Sequence, residues 1–243
     1  EREGSPAGPL LQFLNAVAEE IEEEFPDVKV MTLAYQYTRK PPKHVRPRHN
    51  VVIRLCSIEC SFVESLAEGE QNETFRSDIE GWSKVADKLY VWDYVTNFSH
   101  YIVPHPNVRV LGKNIRYFVD HNTIGIFEQG DSQSGIGDFV RMRAWVLSHL
   151  MWDHTRDANA LIDEFLAGYY GPAAPHLKAY LDTLHDAAEE SGVYLRCFMP
   201  DTSSWLSLDT LNEATRHFAE AIDVVNDDPL LFSRVRRERL PLD

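Results

Sequence analysis

The clearest indication of the fold is the six-residue run at positions 89–94, which reads Leu-Tyr-Val-Trp-Asp-Tyr. It is short and rich in branched and aromatic residues, which is typical of a buried β-strand. Runs of the same character recur along the first 152 residues, and they predict strands near residues 28–36, 51–55, 88–93 and 123–127. Helix-like segments separate these strands. Short apolar strands alternating with helices predict an α/β fold with a parallel sheet covered by helices on at least one face.

The helices between the strands are indicated by apolar residues at helical spacing. The first has Leu10, Leu14, Val17 and Ile21 on one side and is stopped by Pro26. The later ones are predicted over residues 75–87, 108–119 and 137–152. After Asp157 the strand pattern stops, and helices are predicted over residues 158–169, 173–191 and 208–225. The sequence therefore predicts two domains, an α/β domain over residues 1–152 and a small all-helical domain over 153–243.

Polar and aromatic residues cluster where each predicted strand ends. Examples are residues 35–37 (Tyr-Gln-Tyr), 92–94 (Trp-Asp-Tyr) and 128–130 (Glu-Gln-Gly). A doubly wound sheet also fits the alternation of strands and helices, but (β/α)8-barrel enzymes build their sites at this edge. We therefore expect the C-terminal half of a (β/α)8 TIM-type barrel. Half a barrel has two exposed edges, so four further strands are expected to precede residue 1 or to come from elsewhere.

Composition narrows the class of ligand. The chain has 24 Lys and Arg against 38 Asp and Glu, a formal charge of -14, which argues against nucleic acid as a partner. No apolar stretch approaches the ~20 residues of a membrane span. The histidines and the three cysteines lack the spacing of a metal site, and no nucleotide-binding glycine motif is present, so no metal and no cofactor are expected. The cysteines are expected to be buried thiols or to form one disulfide.

Glu128 is the best candidate for a catalytic residue. It follows the apolar run Ile124-Gly125-Ile126-Phe127, so it should emerge at the C-terminal rim of a barrel strand. A carboxyl group there suits acid–base work or the binding of hydroxyl groups, although glycoside hydrolysis usually needs two carboxyl groups. Capping of the next helix, or an ion pair with an arginine, is the structural alternative.

Aromatic residues near the other strand ends are candidates for substrate binding. Trp92 and Tyr94 should lie on one side of their strand and Asp93 on the other. Sugar rings stack on aromatic faces while their hydroxyls seek carboxylate acceptors. Core packing explains Trp92 equally well. The remaining candidates at these strand ends are Tyr35, Tyr37 and Asn97.

Arg54 stands inside an otherwise apolar strand and therefore needs a partner, which Glu59, Asp93 or Glu128 could supply. Such a pair would be structural, or it would position a carboxylate, and both Arg54 and Glu59 are candidates for substrate binding. The segment from Arg39 to His49 is rich in proline and basic residues and predicts an exposed loop.

Several short motifs together resemble glycoside hydrolase family 163, which was first catalogued as a domain of unknown function. The resemblance spans about residues 5–190. The motifs are residues 33–38 (Leu-Ala-Tyr-Gln-Tyr-Thr), Pro41-Pro42, Asn50, residues 90–94 (Tyr-Val-Trp-Asp-Tyr), Asn97-Phe98, Trp152-Asp153, Glu164-Phe165 and Tyr169-Tyr170-Gly171.

This resemblance implies a catalytic (β/α)8 barrel, an endo-β-N-acetylglucosaminidase activity on N-glycans, and a periplasmic or extracellular location. It also implies that another carboxylate stands on a strand that would precede residue 1, which makes this chain incomplete as an enzyme. The cleft-lining residues it carries over are Tyr35, Arg54, Trp92, Asp93, Tyr94 and Glu128. Two other functions stay open: a carbohydrate-binding module without turnover, and an α-glucuronidase-like glycosidase, which should present cationic groups such as Arg54 to its substrate.

Overall fold

Four parallel strands form a single sheet, as the sequence predicts. The computed structural model of the chain describes residues 2–243, and Glu1 lies outside the described residues. The strands are β1 (Val30–Ala34), β2 (Val51–Cys56), β3 (Leu89–Tyr94) and β4 (Thr123–Gln129), and they are neighbours in the order β1-β2-β3-β4. Val30 pairs with Val51, and Ile53 pairs with Leu89. The carboxyl ends of all four strands therefore lie along one edge of the sheet.

Helices connect the strands and make up the rest of the chain. They are α1 (Ala7–Glu24), α2 (Glu73–Val85), α3 (Leu111–Val119), α4 (Val140–Trp152), α5 (Ala158–Tyr170), α6 (Ala174–Ser191), α7 (Leu208–Asp223) and α8 (Pro229–Glu238). The structure begins α4 three residues later than predicted, because Phe139 adopts a left-handed conformation with φ 43°. Asp157 caps α5 by accepting hydrogen bonds from the backbone N–H groups of Asn159 and Ala160.

The two faces of the sheet differ in chemistry. Residue pairing puts Leu33 beside Arg54, Arg54 beside Tyr90 and Cys56 beside Trp92, so these side chains share one face. We call it the aromatic face and define it by Met31, Leu33, Arg54, Tyr90, Trp92 and Phe127. Apolar side chains on this face stay partly exposed, at 41% for Met31 and 42% for Phe127.

The opposite face is covered by helices. Ala34, Ile53 and Val91 are buried there, and α1 packs on β1 and β2. A sheet with sequential strand order and one helix-covered face is typical of a singly wound barrel. A doubly wound sheet reverses its strand order and carries helices on both faces. The fold class is therefore an α/β sheet consistent with part of a (β/α)8 barrel, together with a helical region.

The chain forms two compact units. The first comprises residues 2–60, Leu66–Tyr94 and Arg116–Glu128, and its core includes Phe75 and Phe118, whose rings meet edge-on with centroids 6.4 Å apart. The second comprises Ser61–Ser65, Val95–Ile115 and Gln129–Asp243. The predicted domain boundary between residues 152 and 153 stays a prediction.

The second unit has a helical core of its own. Tyr180 stacks on Phe139 at 5.8 Å and meets Phe218 edge-on at 4.5 Å. Its last helix, α8, is capped by Asp228, whose side chain accepts hydrogen bonds from the backbone N–H groups of Leu230 and Leu231.

Candidate functional site

The aromatic face forms a continuous patch of rings around one guanidinium. Trp92 meets Phe127 edge-on with ring centroids 5.1 Å apart, and it stacks on Tyr94 at 6.3 Å. The guanidinium carbon of Arg54 lies 4.6 Å from the centre of the Tyr90 ring and 5.5 Å from that of Trp92. These distances fall within the range of cation–π attraction. Gly125 is required beneath this patch, because a Cβ there would overlap the Tyr90 ring.

Asp93 is buried on the other side of the same strand, as the alternation predicted, and its side chain is 2% exposed. The Ser57 hydroxyl, directly after β2, donates a short hydrogen bond to its carboxylate. Burial raises the pKa of Asp93 to about 6, although hydrogen bonds from Ser57 and from the Tyr94 backbone favour the charged form. Asp93 therefore changes its protonation state close to neutral pH.

Glu128 lies beside Asp93, near the end of β4. Both of its carboxyl oxygens are buried, and neither has a hydrogen-bond partner among the described residues. Burial raises the pKa of Glu128 well above its ordinary value, and the nearby negative charge of Asp93 raises it further. These surroundings favour the neutral form of the carboxyl group, which can donate a proton.

Arg54 does not have the partner that the sequence suggested. Asp93 and Glu128 belong to the opposite side of the sheet, since Phe127, which precedes Glu128, contacts Trp92 on the aromatic face. Glu59 pairs with Arg39 instead, at 3.3 Å. Three candidate partners are thus replaced by two aromatic rings, and the expectation of an ion pair at Arg54 is wrong.

Arg39 supports the ends of β1 and β2. Its side chain donates to Asp78 at 2.7 Å and to Thr74 at 3.0 Å, and it pairs with Glu59. The Trp82 indole donates to the Arg39 carbonyl. Arg39 is 9% exposed, so the prediction that this loop is exposed is wrong at its first residue. The side chain of Glu59 remains 44% exposed.

The two tyrosines after β1 have different environments. Tyr35 is half-buried, and its backbone N–H donates to the Thr38 hydroxyl at 3.1 Å, which opens a short 3-10 turn over Gln36–Thr38. Tyr37 projects from that turn and is 77% exposed. The carboxyl end of β1 therefore presents an aromatic side chain to solvent, and the substrate-binding role of Tyr35 and Tyr37 stays a prediction.

Asn97 belongs to the second unit, where it is buried. Its amide nitrogen donates to the Met199 carbonyl at 2.7 Å, and its amide oxygen accepts from the N–H groups of Met199 and Ser99. Both ends of the amide are therefore used by the backbone. This arrangement favours a structural role for Asn97 over the predicted substrate contact.

Some residues of the candidate site were missed by sequence reasoning. Tyr90 and Phe127 are part of the aromatic face, and the alternation that placed Trp92 and Tyr94 together also predicts Tyr90 beside them. Phe127 could be placed only when β4 was paired with β3. The sequence did not indicate a role for Ser57, because serine is common after a strand. Its hydrogen bond to Asp93 depends on the pairing of β2 with β3.

The structure also shows the state of the cysteines and of the side chains that could bind a metal. Cys56, Cys60 and Cys197 are buried free thiols, one of the two expected states. Within residues 2–243 no group of three or more His, Cys, Asp or Glu side chains is arranged to hold a metal ion. None of the helices described here is long and apolar enough to cross a membrane.

Comparison with known families places the chain in one of them. Residues 1–182, which make up most of the chain, match the family described as Domain of unknown function (DUF4838). The chain therefore belongs to this family. No curated protein matches it.

Proposed function

We propose that this chain is part of a glycoside hydrolase in which the aromatic face holds the sugar. Glu128 lies on the opposite side of the sheet, and it acts as the proton-donating carboxyl group after its side chain rotates toward the strand end. The observation that carries the proposal is the buried pair of Asp93 and Glu128 near the carboxyl ends of neighbouring parallel strands. Cleavage of a glycosidic bond needs a neutral carboxyl group at working pH to protonate the leaving oxygen. Burial and the neighbouring acid give Glu128 that property.

The aromatic face supports a carbohydrate ligand. Trp92 is half-buried and Phe127 is 42% exposed, so both rings retain surface on which the C–H face of a pyranose can stack. Sites of this kind combine aromatic walls with a few fixed polar groups. The resemblance to glycoside hydrolase family 163 agrees with this ligand class and suggests β-linked N-acetylglucosamine.

A second candidate function is sugar binding without turnover. It is favoured by the inaccessibility of Glu128, whose two carboxyl oxygens are both buried. A substrate reaches them only after the side chain rotates toward the strand end. If that rotation does not occur, the aromatic face binds carbohydrate and no bond is cleaved.

The test is a turnover assay on the intact protein that carries this chain, with chitobiose-core glycans and uronosides as substrates. Glu128→Gln keeps the shape of the side chain and removes its proton. We expect kcat to fall ~100-fold or more with little change in KM, on the scale of general acid catalysis. We also expect wild-type activity to fall as pH rises through the pKa of Glu128, because the neutral form is the active one.

Glu24→Gln is the matched control, since Glu24 is an exposed carboxylate on α1 of the same unit. It should leave kcat and KM unchanged. Unchanged kinetics in the Glu128→Gln variant would remove Glu128 from the reaction. Sugar binding by the wild-type protein without any product would establish the second candidate function instead.

A further inference from the structure

We propose that Arg54 binds the carboxylate of an acidic sugar, so that the pyranose held on the aromatic face carries a carboxyl group. This inference rests on the carbohydrate surface of the proposed function, and it assigns an acidic sugar to the position beside Arg54 in place of the neutral N-acetylglucosamine that the family resemblance suggests. It is carried by the surroundings of a single guanidinium.

The guanidinium of Arg54 is fixed by rings and not by an acid. Tyr90 and Trp92 lie 4.6 and 5.5 Å from its central carbon. Its Nε is buried and has no hydrogen-bond acceptor among the described residues. Cation–π contacts hold the group in place but leave the in-plane N–H donors unused, and a buried donor without an acceptor is costly. Arg54 is therefore positioned to receive a planar acceptor.

Two other arginines of the same unit are held by acidic side chains, whereas Arg54 is not. Arg39 pairs with Asp78 and Glu59, and Arg48 pairs with Glu19 and Glu22. The chain has 14 more acidic than basic side chains, so carboxylates are abundant. None of the described ones forms an ion pair with Arg54. The site has a positive charge that the fold leaves uncompensated on a partly exposed face.

A carboxylate-bearing sugar matches both components of this surface. Its C–H face can stack on Trp92 or Phe127, whose ring centroids are only 5.1 Å apart. A carboxyl group on that ring then lies next to the guanidinium, whose forked N–H groups bind carboxylates through two parallel hydrogen bonds. A neutral sugar would stack equally well but would leave Arg54 unsatisfied. The face therefore discriminates in favour of the acidic sugar.

The experiment compares 4-nitrophenyl β-D-glucuronide with 4-nitrophenyl β-D-glucoside, which differ only in a carboxylate and a hydroxymethyl group. Binding to this chain is measured by isothermal titration calorimetry and by saturation-transfer NMR. We expect the glucuronide to bind ~10-fold to 100-fold more tightly than the glucoside, on the scale of a charge-assisted hydrogen-bond pair. Arg54→Gln should abolish that preference, and it should weaken glucuronide binding much more than glucoside binding.

Two further variants separate recognition from structure. Arg54→Lys keeps the charge without the fork, so it should retain only part of the preference. Arg46→Gln removes an exposed arginine from the same unit and should retain all of it. Circular dichroism and thermal unfolding show whether each variant is folded. If a variant unfolds at a lower temperature than the wild type, the salt dependence of wild-type binding is measured in its place. Added salt should weaken the binding of the glucuronide and leave that of the glucoside unchanged.

The outcomes distinguish this inference from the proposed function. Equal binding of both glycosides by the wild-type chain overturns the inference, while the carbohydrate surface stands. Loss of both affinities in Arg54→Gln shows a structural role and also overturns it. Absence of binding for either glycoside counts against the carbohydrate surface itself, and the proposed function fails together with the inference.

Discussion

Replacing Glu128 by Gln should stabilise the protein at neutral pH and have little effect in acid. The wild-type carboxyl group is buried without a hydrogen-bond partner among the described residues and has a raised pKa, so the native state keeps its proton. In the unfolded chain the same group ionises near its ordinary value of 4.5. Between these two pKa values the native state binds more protons than the unfolded state, so stability falls as pH rises.

The magnitude follows from the slope of this linkage. One proton taken up on folding lowers the free energy of unfolding by ~1.4 kcal/mol for each pH unit above 4.5, until the native carboxyl group also ionises. The wild-type protein should therefore lose stability with that slope relative to Glu128→Gln, whose amide does not titrate, from pH 4.5 up to the raised pKa of Glu128. The amide should pack similarly, because it has nearly the same shape.

The measurement is urea denaturation at pH 5, 6, 7 and 8, followed by tryptophan fluorescence and by circular dichroism. Coincident transitions from the two probes are needed before free energies are compared, since the chain forms two compact units. Glu24→Gln serves as the control and should differ from wild type by no more than ~0.5 kcal/mol at every pH. A Glu128→Gln variant that is destabilised at pH 7, or whose difference from wild type does not change with pH, would refute the buried neutral carboxyl group.

Three other substitutions test separate parts of the structure. Trp92→Ala should weaken sugar binding about tenfold in a fluorescence or calorimetric titration and cost only ~1–2 kcal/mol of stability, less than a core tryptophan, because its ring is partly exposed. Arg39→Met should cost ~3–5 kcal/mol in urea unfolding because it leaves Asp78 buried without its partner, and adding Asp78→Leu should restore much of that loss. Glu238→Gln should remove a pH dependence from thermal unfolding. Burial raises the pKa of Glu238 to about 7, so the free energy of unfolding of the wild-type protein should fall by about 3 kcal/mol between pH 4.5 and 7. A variant with the same pH profile as the wild type would contradict this.

The sequence by itself determined the elements and their order. Residues 30–34, 51–56, 89–94 and 123–129 are strands because their short apolar runs can be buried only in a sheet, and the helices between them follow from the spacing of apolar residues and from Pro26. Parallel pairing followed as well, since each crossover is long enough to return the chain to the start of the next strand. The same local rules placed Trp92 and Tyr94 on one side of β3 and Asp93 on the other.

Only the tertiary structure decided which of these side chains meet. The partner of Arg54 depends on which strand lies beside β2 and on the register between them. Because Arg54 pairs with Tyr90, its guanidinium contacts aromatic rings and not the carboxylates that the sequence suggested. The tertiary structure likewise places Glu128 near Asp93 and forms the ion pair between Glu59 and Arg39. Contacts between strands join residues that are tens of positions apart in the chain, and local sequence patterns do not predict such contacts. A strand's periodicity fixes the face on which a side chain lies, but the register between strands fixes its neighbours and hence its charge state.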